Sequence, residues 1–515
     1  MTTVTSKVTM KTVTATTTTA TTTTAITTTA ITTTITMATT KMGTRLMLAM
    51  DDSVTDPGFV TTPEPPAPPA GPMRSPRRSW LTDNDIAAVL AAYALVVTGM
   101  WSVHGGVADL GGGWASASTS ITSLTGLYTS AIALMALALV ARPKAMERRF
   151  GLDRMFVWHR ILGDTMGVLL GVHVAAAVIA WSSDGGLGKA LVDLTGRTPY
   201  MAMATIGAAM VGVVTVTSLK SIRQKLAYET WYFVHLLAYV GMAISFGHEI
   251  YLGSDLADDK VARSFWVAIH VLVAVMLVIG RWGRTAVAFL SPLKVSRITR
   301  VNHDTVDIEV SGRGLRHREG AAGQFCFVRP LTSDLWWQSH PFSMSAAPRT
   351  NRVRFTIKDR GDATRAMSRL EIGTRVMVEG PFGVVTPDVL DGAKSLFVVG
   401  GVGVAPVLAI LETLGPDHEP IVLYRAHSEK DLVHLDELRH AAERLGGKLM
   451  TLVGPTAKLA VKDPFSARVL TAAIPDVAKR AVVLCGPDRL LHAARAGLRA
   501  AGVPKDRIHS EHSWW

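Results

Sequence analysis

The chain has 515 residues, 53 of them Lys or Arg against 41 Asp or Glu, for a formal net charge of +12. Hydrophobic residues make up 48% and charged residues 18%, below the ~25% charged of soluble domains, which argues against a wholly soluble protein, and the length predicts about three folding units. Two cysteines exclude a disulfide framework, a four-cysteine zinc site and an iron–sulfur cluster with four Cys ligands, and no Cys-x-x-Cys-His run offers covalent haem attachment; the basic excess points to membrane or nucleic acid until its distribution is read.

Residues 1 to about 42 are dominated by Thr, and 56 to 76 are rich in Pro. Neither stretch repeats large apolar residues at a helical or strand period, so neither offsets its ordering entropy, and 1–80 is expected to be disordered. Met37, Met42, Met47, Met50 and Met73 leave a start downstream of Met1 open. Arg77-Arg78-Ser79-Trp80-Leu81 is faintly similar to a twin-arginine export signal but lacks a clear cleavage site, and is read as the cytoplasmic flank of a first membrane helix.

Between Ile86 and Trp282 lie six apolar stretches, at about 86–103, 121–141, 157–181, 199–218, 231–251 and 264–281. Each approaches the ~20 residues with which an α-helix crosses ~30 Å of hydrocarbon. Arg74, Arg77 and Arg78 precede the first stretch; Arg142, Lys144, Arg148 and Arg149 join the second to the third; Lys220, Arg223 and Lys225 join the fourth to the fifth; Arg281 and Arg284 close the sixth. The opposite loops carry only Lys189, Arg197, Lys260 and Arg263, so both termini are expected in the cytoplasm of a multi-pass cell-membrane protein. The basic excess is then largely topological, and no nucleic-acid partner is expected.

After Pro292 the pattern changes to short alternating runs, Val295–Val301, Thr305–Val310, Gln324–Val328 and Arg352–Ile357, as a small antiparallel barrel requires. From Lys394 it becomes strand, Gly-rich turn, helix, with strands at Leu396–Val399, Ile421–Tyr424, Leu449–Val453 and Ala481–Leu484, the mark of a doubly wound α/β unit. The expected multidomain layout is a six-helix transmembrane bundle over 81–284, an antiparallel β-barrel over 285–390 and an α/β domain over 391–515.

Ligating side chains inside a membrane span are functional candidates by default. The third stretch holds His159 and His173, and the fifth, which runs parallel to it, holds His235 and His248. Fourteen residues at ~1.5 Å per residue separate two levels by about 21 Å and return to within about 40° of the same face. Two stacked haems fit this pattern, the inner on His159 and His235, the outer on His173 and His248. The 13 residues of the fifth stretch turn its second His about 140° from its first, so overwinding or a kink is expected there, with Gly241 and Gly247 as places for it. The alternative is four separate histidines bonded to polar neighbours. His104 and His270 lack a matching His and are read as structural.

These spacings, 14 and 13, resemble the ferric reductase transmembrane domain shared by NADPH oxidases and eukaryotic metalloreductases, and with the motifs that follow the resemblance covers residues 85 to 515. His340-Pro341-Phe342-Ser343, placed after a strand, resembles that family's flavin motif. Gly361-Asp362-Ala363-Thr364 follows, opening a helix over Arg365–Leu370 whose N-terminus suits a pyrophosphate; Glu379-Gly380-Pro381-Phe382-Gly383 then closes the barrel. Together these imply FAD. Gly400-Gly401-Val402-Gly403-Val404-Ala405-Pro406 departs from G-x-G-x-x-G at Pro406, a residue tolerated in a first helical turn, and matches the nicotinamide loop of ferredoxin reductases. Cys485-Gly486-Pro487 ends the later strand as that family requires, with Cys485 beside the nicotinamide. Arg425 either holds the 2′-phosphate of NADPH or pairs with an acid such as Glu429. Related reductases end in an aromatic residue stacked on the flavin, a role open to Trp514 or Trp515.

The resemblance implies electron flow from cytoplasmic NADPH or NADH to FAD, then singly through two b-type haems to an acceptor on the outer face. Oxygen would make the protein a superoxide-forming NADPH oxidase, and a ferric chelate would make it a ferric-chelate reductase. Well-known oxidases carry a further His one turn beyond the outer ligand of the third span; here Ala177 stands there, which weakens the oxygen assignment. Asp184, Asp255 and Asp258 offer polar groups in the outer loops. A different reading is a redox module supplying a periplasmic or extracellular partner protein. No calcium-binding loop of the D-x-D-x-D-G type is present.

Overall fold

The computed structural model describes residues 72–73, 81–183, 185–193, 195, 200–316, 318–459 and 461–510. Within the stretch 1–80 only Pro72 and Met73 are therefore described: Met73 donates its N–H to Pro348 O at 3.2 Å and is buried in the barrel core.

Among the described residues six helices are long and apolar enough to cross a membrane: Asp83–Val103, Trp114–Val140, Lys144–Ser182, Met201–Ser218, Tyr228–Leu252 and Lys260–Leu290. The first is fixed at its start by a capping box, in which Asp85 N–H donates to Thr82 Oγ1 at 3.2 Å and Thr82 N–H to Asp85 Oδ2 at 2.8 Å. The third is two helices merged across Gly151, whose φ of 78° turns the chain between them. The sixth passes through a π-helical segment, Val278–Gly283. A β-carbon at Gly280 would strike the carbonyl of Ala141, so glycine lets this segment close onto the connection between the second and third spans.

The second span packs mainly on the third and the fourth on the fifth, while the third and fifth share no extensive backbone contact. Gly207 and Gly241 bring the fourth and fifth together, since a β-carbon on either would meet the other's carbonyl, at 2.5 Å and 2.9 Å. The overwinding expected in the fifth span is absent, because Tyr228–Leu252 runs as one α-helix. With the third and fifth helices held apart, side chains displaced to either side of the line between them can both reach across. Gly241 and Gly247 serve close packing instead, the latter against the ring of Tyr200.

The strands of the second domain are β1 (Leu293–Asn302), β2 (Thr305–Ser311), β3 (Phe325–Pro330), β4 (His340–Ser343), β5 (Arg352–Lys358) and β6 (Arg375–Phe382), in the order β4-β3-β6-β1-β2-β5. A bridge from Met344 to Phe355 brings the two ends together and closes the barrel, around a core that includes Leu293, Ile308, Val310, Phe355 and Met367. His340-Pro341-Phe342-Ser343 follows β3, as expected, and is itself a strand; its Pro341 lacks an N–H, which suits the end position it takes in the strand order. The helix after Gly361 runs over Asp362–Met367, starting earlier than the expected Arg365 because Gly361, at φ 152°, turns the chain directly into it.

The last domain is a parallel sheet of β7 (Ser395–Gly400), β8 (Ile421–Ala426), β9 (Lys448–Val453), β10 (Ala481–Cys485) and β11 (Ile508–Ser510), in the order β11-β10-β7-β8-β9. Alternate residues of the largely buried central strands β7, β8 and β10 face opposite ways. Phe397, Val399 and Tyr424 pack with Val407, Leu408 and Leu438 on one face; Leu396, Val398 and Leu484 pack with Leu470, Leu491 and Leu498 on the other. Strand order reverses between β7 and β10, which opens a crevice at their C-terminal ends.

Candidate functional site

The four span histidines come together in pairs. The rings of His159 and His235 have centroids 6.1 Å apart, and those of His173 and His248 lie 6.3 Å apart. Two metal–imidazole bonds of about 2 Å each, plus roughly 1 Å from each ligating nitrogen to its ring centre, call for about 6 Å, so both pairs are spaced to grip one metal atom between them. Among the described residues no group of three or more His, Cys, Asp or Glu is gathered as a metal site. Two ligands per level suit a metal that brings its own equatorial donors, as a porphyrin does.

The tautomers agree. His159 Nδ1 lies 3.1 Å from Ala136 O, and His173 Nδ1 lies 2.8 Å from Thr122 O. A carbonyl only accepts, so each Nδ1 carries the proton and each Nε2 keeps its lone pair for a metal. Ala136 and Thr122 are 14 residues apart on the second span, the same spacing as the two histidines they orient. Gly126 clears room between them: a β-carbon there would stand 2.9 Å from His173 Cε1. On the fifth span His235 Nδ1 lies 3.4 Å from Ser218 Oγ, which also accepts from Trp231 Nε1 at 3.2 Å. His248 Nδ1 is buried with no hydrogen-bond partner among the described residues.

His104 and His270 both have polar partners: His104 Nε2 lies 3.4 Å from Asp259, and His270 Nε2 3.6 Å from Glu249. Glu249 is a residue the sequence reading passed over. Its Oε2 accepts from Ser130 Oγ at 2.7 Å and Trp266 Nε1 at 3.0 Å, next in chain to His248. A carboxylate inside an apolar span is signal enough to find it. Of the outer-loop acids, Asp255 is buried and takes the Ser123 hydroxyl, while Asp184 lies outside the described residues.

In the barrel, β4 presents His340, Pro341, Phe342 and Ser343, all half-buried, antiparallel to β3. His340 Nε2 lies 3.0 Å from Gln338 Oε1, and burial holds its imidazole below the usual pKa. Thr364 Oγ1 accepts from Arg360 N–H at 2.8 Å and donates to Gly361 O at 3.0 Å, which fixes the turn at the start of the following helix.

In the α/β domain the crevice gathers both predicted loops. Val399 and Cys485 are register partners across β7 and β10, so Gly400-Gly401-Val402-Gly403 and Cys485-Gly486-Pro487 leave adjacent strand ends side by side. A β-carbon on Gly403 would collide with the Cys485 carbonyl and stand 2.8 Å from Gly486 N. Gly401, at φ 56°, has open space beside it, and Pro406 lies in the first turn of the helix Val404–Leu411. Cys485 is buried and forms no disulfide. Arg425, at the end of β8, donates to the carbonyls of Ala426, Leu452 (3.1 Å) and Gly454 (2.6 Å) and to Thr456 Oγ1 at 3.3 Å; among the described residues no ion pair joins it to Glu429. Trp514 and Trp515 lie outside the described residues.

Residues 125–246 match the family of ferric reductase like transmembrane components, and residues 291–386 match an FAD-binding domain family. The first match takes in His159, His173 and His235 and ends two residues before His248. The reductase component of propane 2-monooxygenase from Rhodococcus jostii is 27% identical over 232 residues, 42% of this chain and 61% of that protein. NADPH oxidase 1 of Mus musculus is 29% identical over 126 residues, 23% of this chain and 20% of that protein. Among solved structures, a ferredoxin reductase in carbazole 1,9a-dioxygenase aligns with a TM-score of 0.37 at 21% identity, over 43% of this chain and 68% of that one. The chain spans about three-fifths of the length of the curated reductases it matches.

Proposed function

We propose, from the premise that this chain is an oxidoreductase joining a ferric reductase-like membrane domain to an FAD- and NAD(P)H-binding module, that it carries electrons from NAD(P)H across the membrane to an acceptor on the outer face. FAD and two b-type haems, when bound, supply the hydride acceptance, the division of an electron pair into single electrons and the passage across the bilayer.

The residues bind and orient these groups. His159 with His235 would hold the inner haem, and His173 with His248 the outer. His340, Pro341, Phe342 and Ser343 would lie along the flavin ring, with Gly361 and Thr364 towards its pyrophosphate. Gly400, Gly401, Gly403 and Pro406 would take the dinucleotide phosphates, with Arg425 near the 2′-phosphate of NADPH. Cys485, Gly486 and Pro487 would flank the nicotinamide, and Trp514 or Trp515 would cover the flavin until nicotinamide arrives. The distribution of loop arginines and lysines supports a cytoplasmic side for both termini. Because each haem would already be held by two histidines, the acceptor would be met from outside, as oxygen or a ferric chelate.

The observation that carries this reading is the pair of imidazole contacts at 6.1 and 6.3 Å whose third-span members have both Nδ1 protons committed to carbonyls. A pyridine haemochrome spectrum of the purified protein should give two b-type haems per chain, and His173→Ala should lower that number; unchanged haem content in the variant would defeat the reading. With NADPH alone, superoxide that superoxide dismutase removes assigns oxygen. Reduction of a ferric chelate in anaerobic buffer assigns iron, and silence towards both assigns a partner protein.

A further inference from the structure

The flavin barrel meets the membrane helices at a buried junction of charges and aromatic rings. At its centre is Glu379 of β6, only 6% exposed. Its Oε1 accepts from Thr285 Oγ1 at 3.1 Å and lies 3.5 Å from Arg281 Nη1, both on the sixth span. Its Oε2 lies 4.0 Å from Nη1 of Arg142, in the connection between the second and third spans. Arg142 is 8% exposed, and its guanidinium lies 5.0 Å from the ring centre of Phe327, 5.4 Å from Phe382 and 5.8 Å from Phe156. Leu139, Leu152 and Met155 from the membrane side and Phe325, Phe327 and Phe382 from the barrel side form one apolar cluster around this point.

An apolar contact alone would hold two surfaces together at less cost, because taking a carboxylate and guanidiniums out of water costs several kcal/mol per ion before pairing recovers it. What a buried ionic contact adds is register: slippage leaves an uncompensated charge. Here register translates into position. Glu379 is the partner of Phe327 across β6 and β3, and Phe327 is the partner of Pro341 across β3 and β4. On the other side Phe156 precedes His159 by three residues in the same helix. A short series of direct contacts, Phe156 to Arg142 to Phe327 to Pro341, therefore joins the inner histidine's helix to the flavin strand.

We propose that Glu379, acting through Arg142 and Arg281, is a positioning residue that sets the separation between the flavin strand and the inner histidine pair. This rests on the function proposed above. It does not place Glu379 against any reacting atom, so its loss should uncouple two halves of the protein rather than stop either one.

The test uses the full chain in detergent with three measurements: backbone hydrogen exchange over β3, β6 and residues 139–152, reduction of a soluble one-electron dye by NADPH, and stopped-flow reduction of the bound haem by NADPH. Glu379→Gln should speed exchange on both sides of the junction, leave dye reduction and the flavin and haem contents unchanged, and slow haem reduction several-fold, because displacing the flavin strand lengthens the path an electron must cover. Glu379→Asp should recover part of the lost rate. Unaltered haem reduction in Glu379→Gln, or equal loss of dye and haem reduction, overturns the proposal. If that variant fails to fold, Arg281→Gln, which keeps Arg142, carries the same test with a smaller slowing. Wild-type protein without haem would defeat the functional reading instead, and the exchange measurement would still decide whether Glu379 docks the barrel.

Discussion

His434 of the α/β domain sets its Nε2 3.2 Å from Oδ1 of Asp307, in β2 of the flavin barrel. Thr356 Oγ1 donates to Asp307 at 2.6 Å and lies 2.9 Å from the same His434 nitrogen, while His434 Nδ1 is 3.2 Å from Glu437. Arg354 completes the group, 3.7 Å from Asp307 and 3.0 Å from Glu437. Burial pulls the His434 pKa down, but hydrogen bonds to Asp307 and Glu437 and their charges outweigh it and raise it to about 9. A pKa raised on folding gives stability that is complete below the unfolded value near 6.5 and is lost as pH rises through about 9. The unfolding free energy of the α/β domain in the full chain should therefore fall between pH 7 and pH 10, by an amount on the order of 3 kcal/mol, and its melting temperature with it. In His434→Gln the fall should largely disappear; two parallel pH profiles would show that this contact carries no proton-linked stability.

Gly126 tests the outer histidine pair without touching a ligand. His173 is held by Thr122 O at 2.8 Å, one helical turn from Gly126, so its ring cannot swing away from an added methyl without losing that bond. Gly126→Ala should cost about 1–3 kcal/mol, as overpacking does, and should lower haem occupancy at one of the two levels. A redox titration that still resolves two unaltered potentials at full haem content would contradict it.

The spans were legible because crossing a bilayer demands a length of apolar residues that nothing else in the chain needs. The histidine pairs were legible because two spacings matched on parallel helices. Their orienting groups, the carbonyls of Ala136 and Thr122, were not, since every residue has a carbonyl and only packing selects two of them. The strand His340–Ser343 is short, half-exposed and interrupted by proline, so it lacks the alternation that marked β1 and β2. The contacts of Arg142 with Glu379 and of His434 with Asp307 join residues far apart in sequence, and no local pattern announces them.

Glu249 ties three spans together by accepting from the hydroxyl of Ser130 and the indole of Trp266, both buried. Trp266 is fully buried. Glu249→Leu should leave the Trp266 indole unsatisfied, at about 1–3 kcal/mol, and the Ser130 hydroxyl with only the longer contact to His270 Nε2 at 3.4 Å, and so lower the detergent-solubilised melting temperature, followed by tryptophan fluorescence. Glu249→Gln keeps a carbonyl oxygen for one donor and should lose less. Equal stability of the two variants would mean that the carboxylate is not what holds these helices.

Gly401 and Gly403 sit two residues apart in the same loop and should fail in different ways. A methyl on Gly403 meets the backbone of Cys485 and Gly486, which belongs to a fully buried strand end and cannot yield as a side chain would. Gly403→Ala should therefore push the two loops of the crevice apart and raise KM for NADPH at least about ten-fold, a loss of roughly 1.4 kcal/mol of binding, while flavin content holds. A methyl on Gly401 meets nothing, but its φ of 56° costs a residue with a β-carbon about 1–2 kcal/mol. Gly401→Ala should thus appear mainly as lost thermal stability. If Gly403→Ala left KM for NADPH unchanged, the crevice between β7 and β10 would not be where the dinucleotide binds.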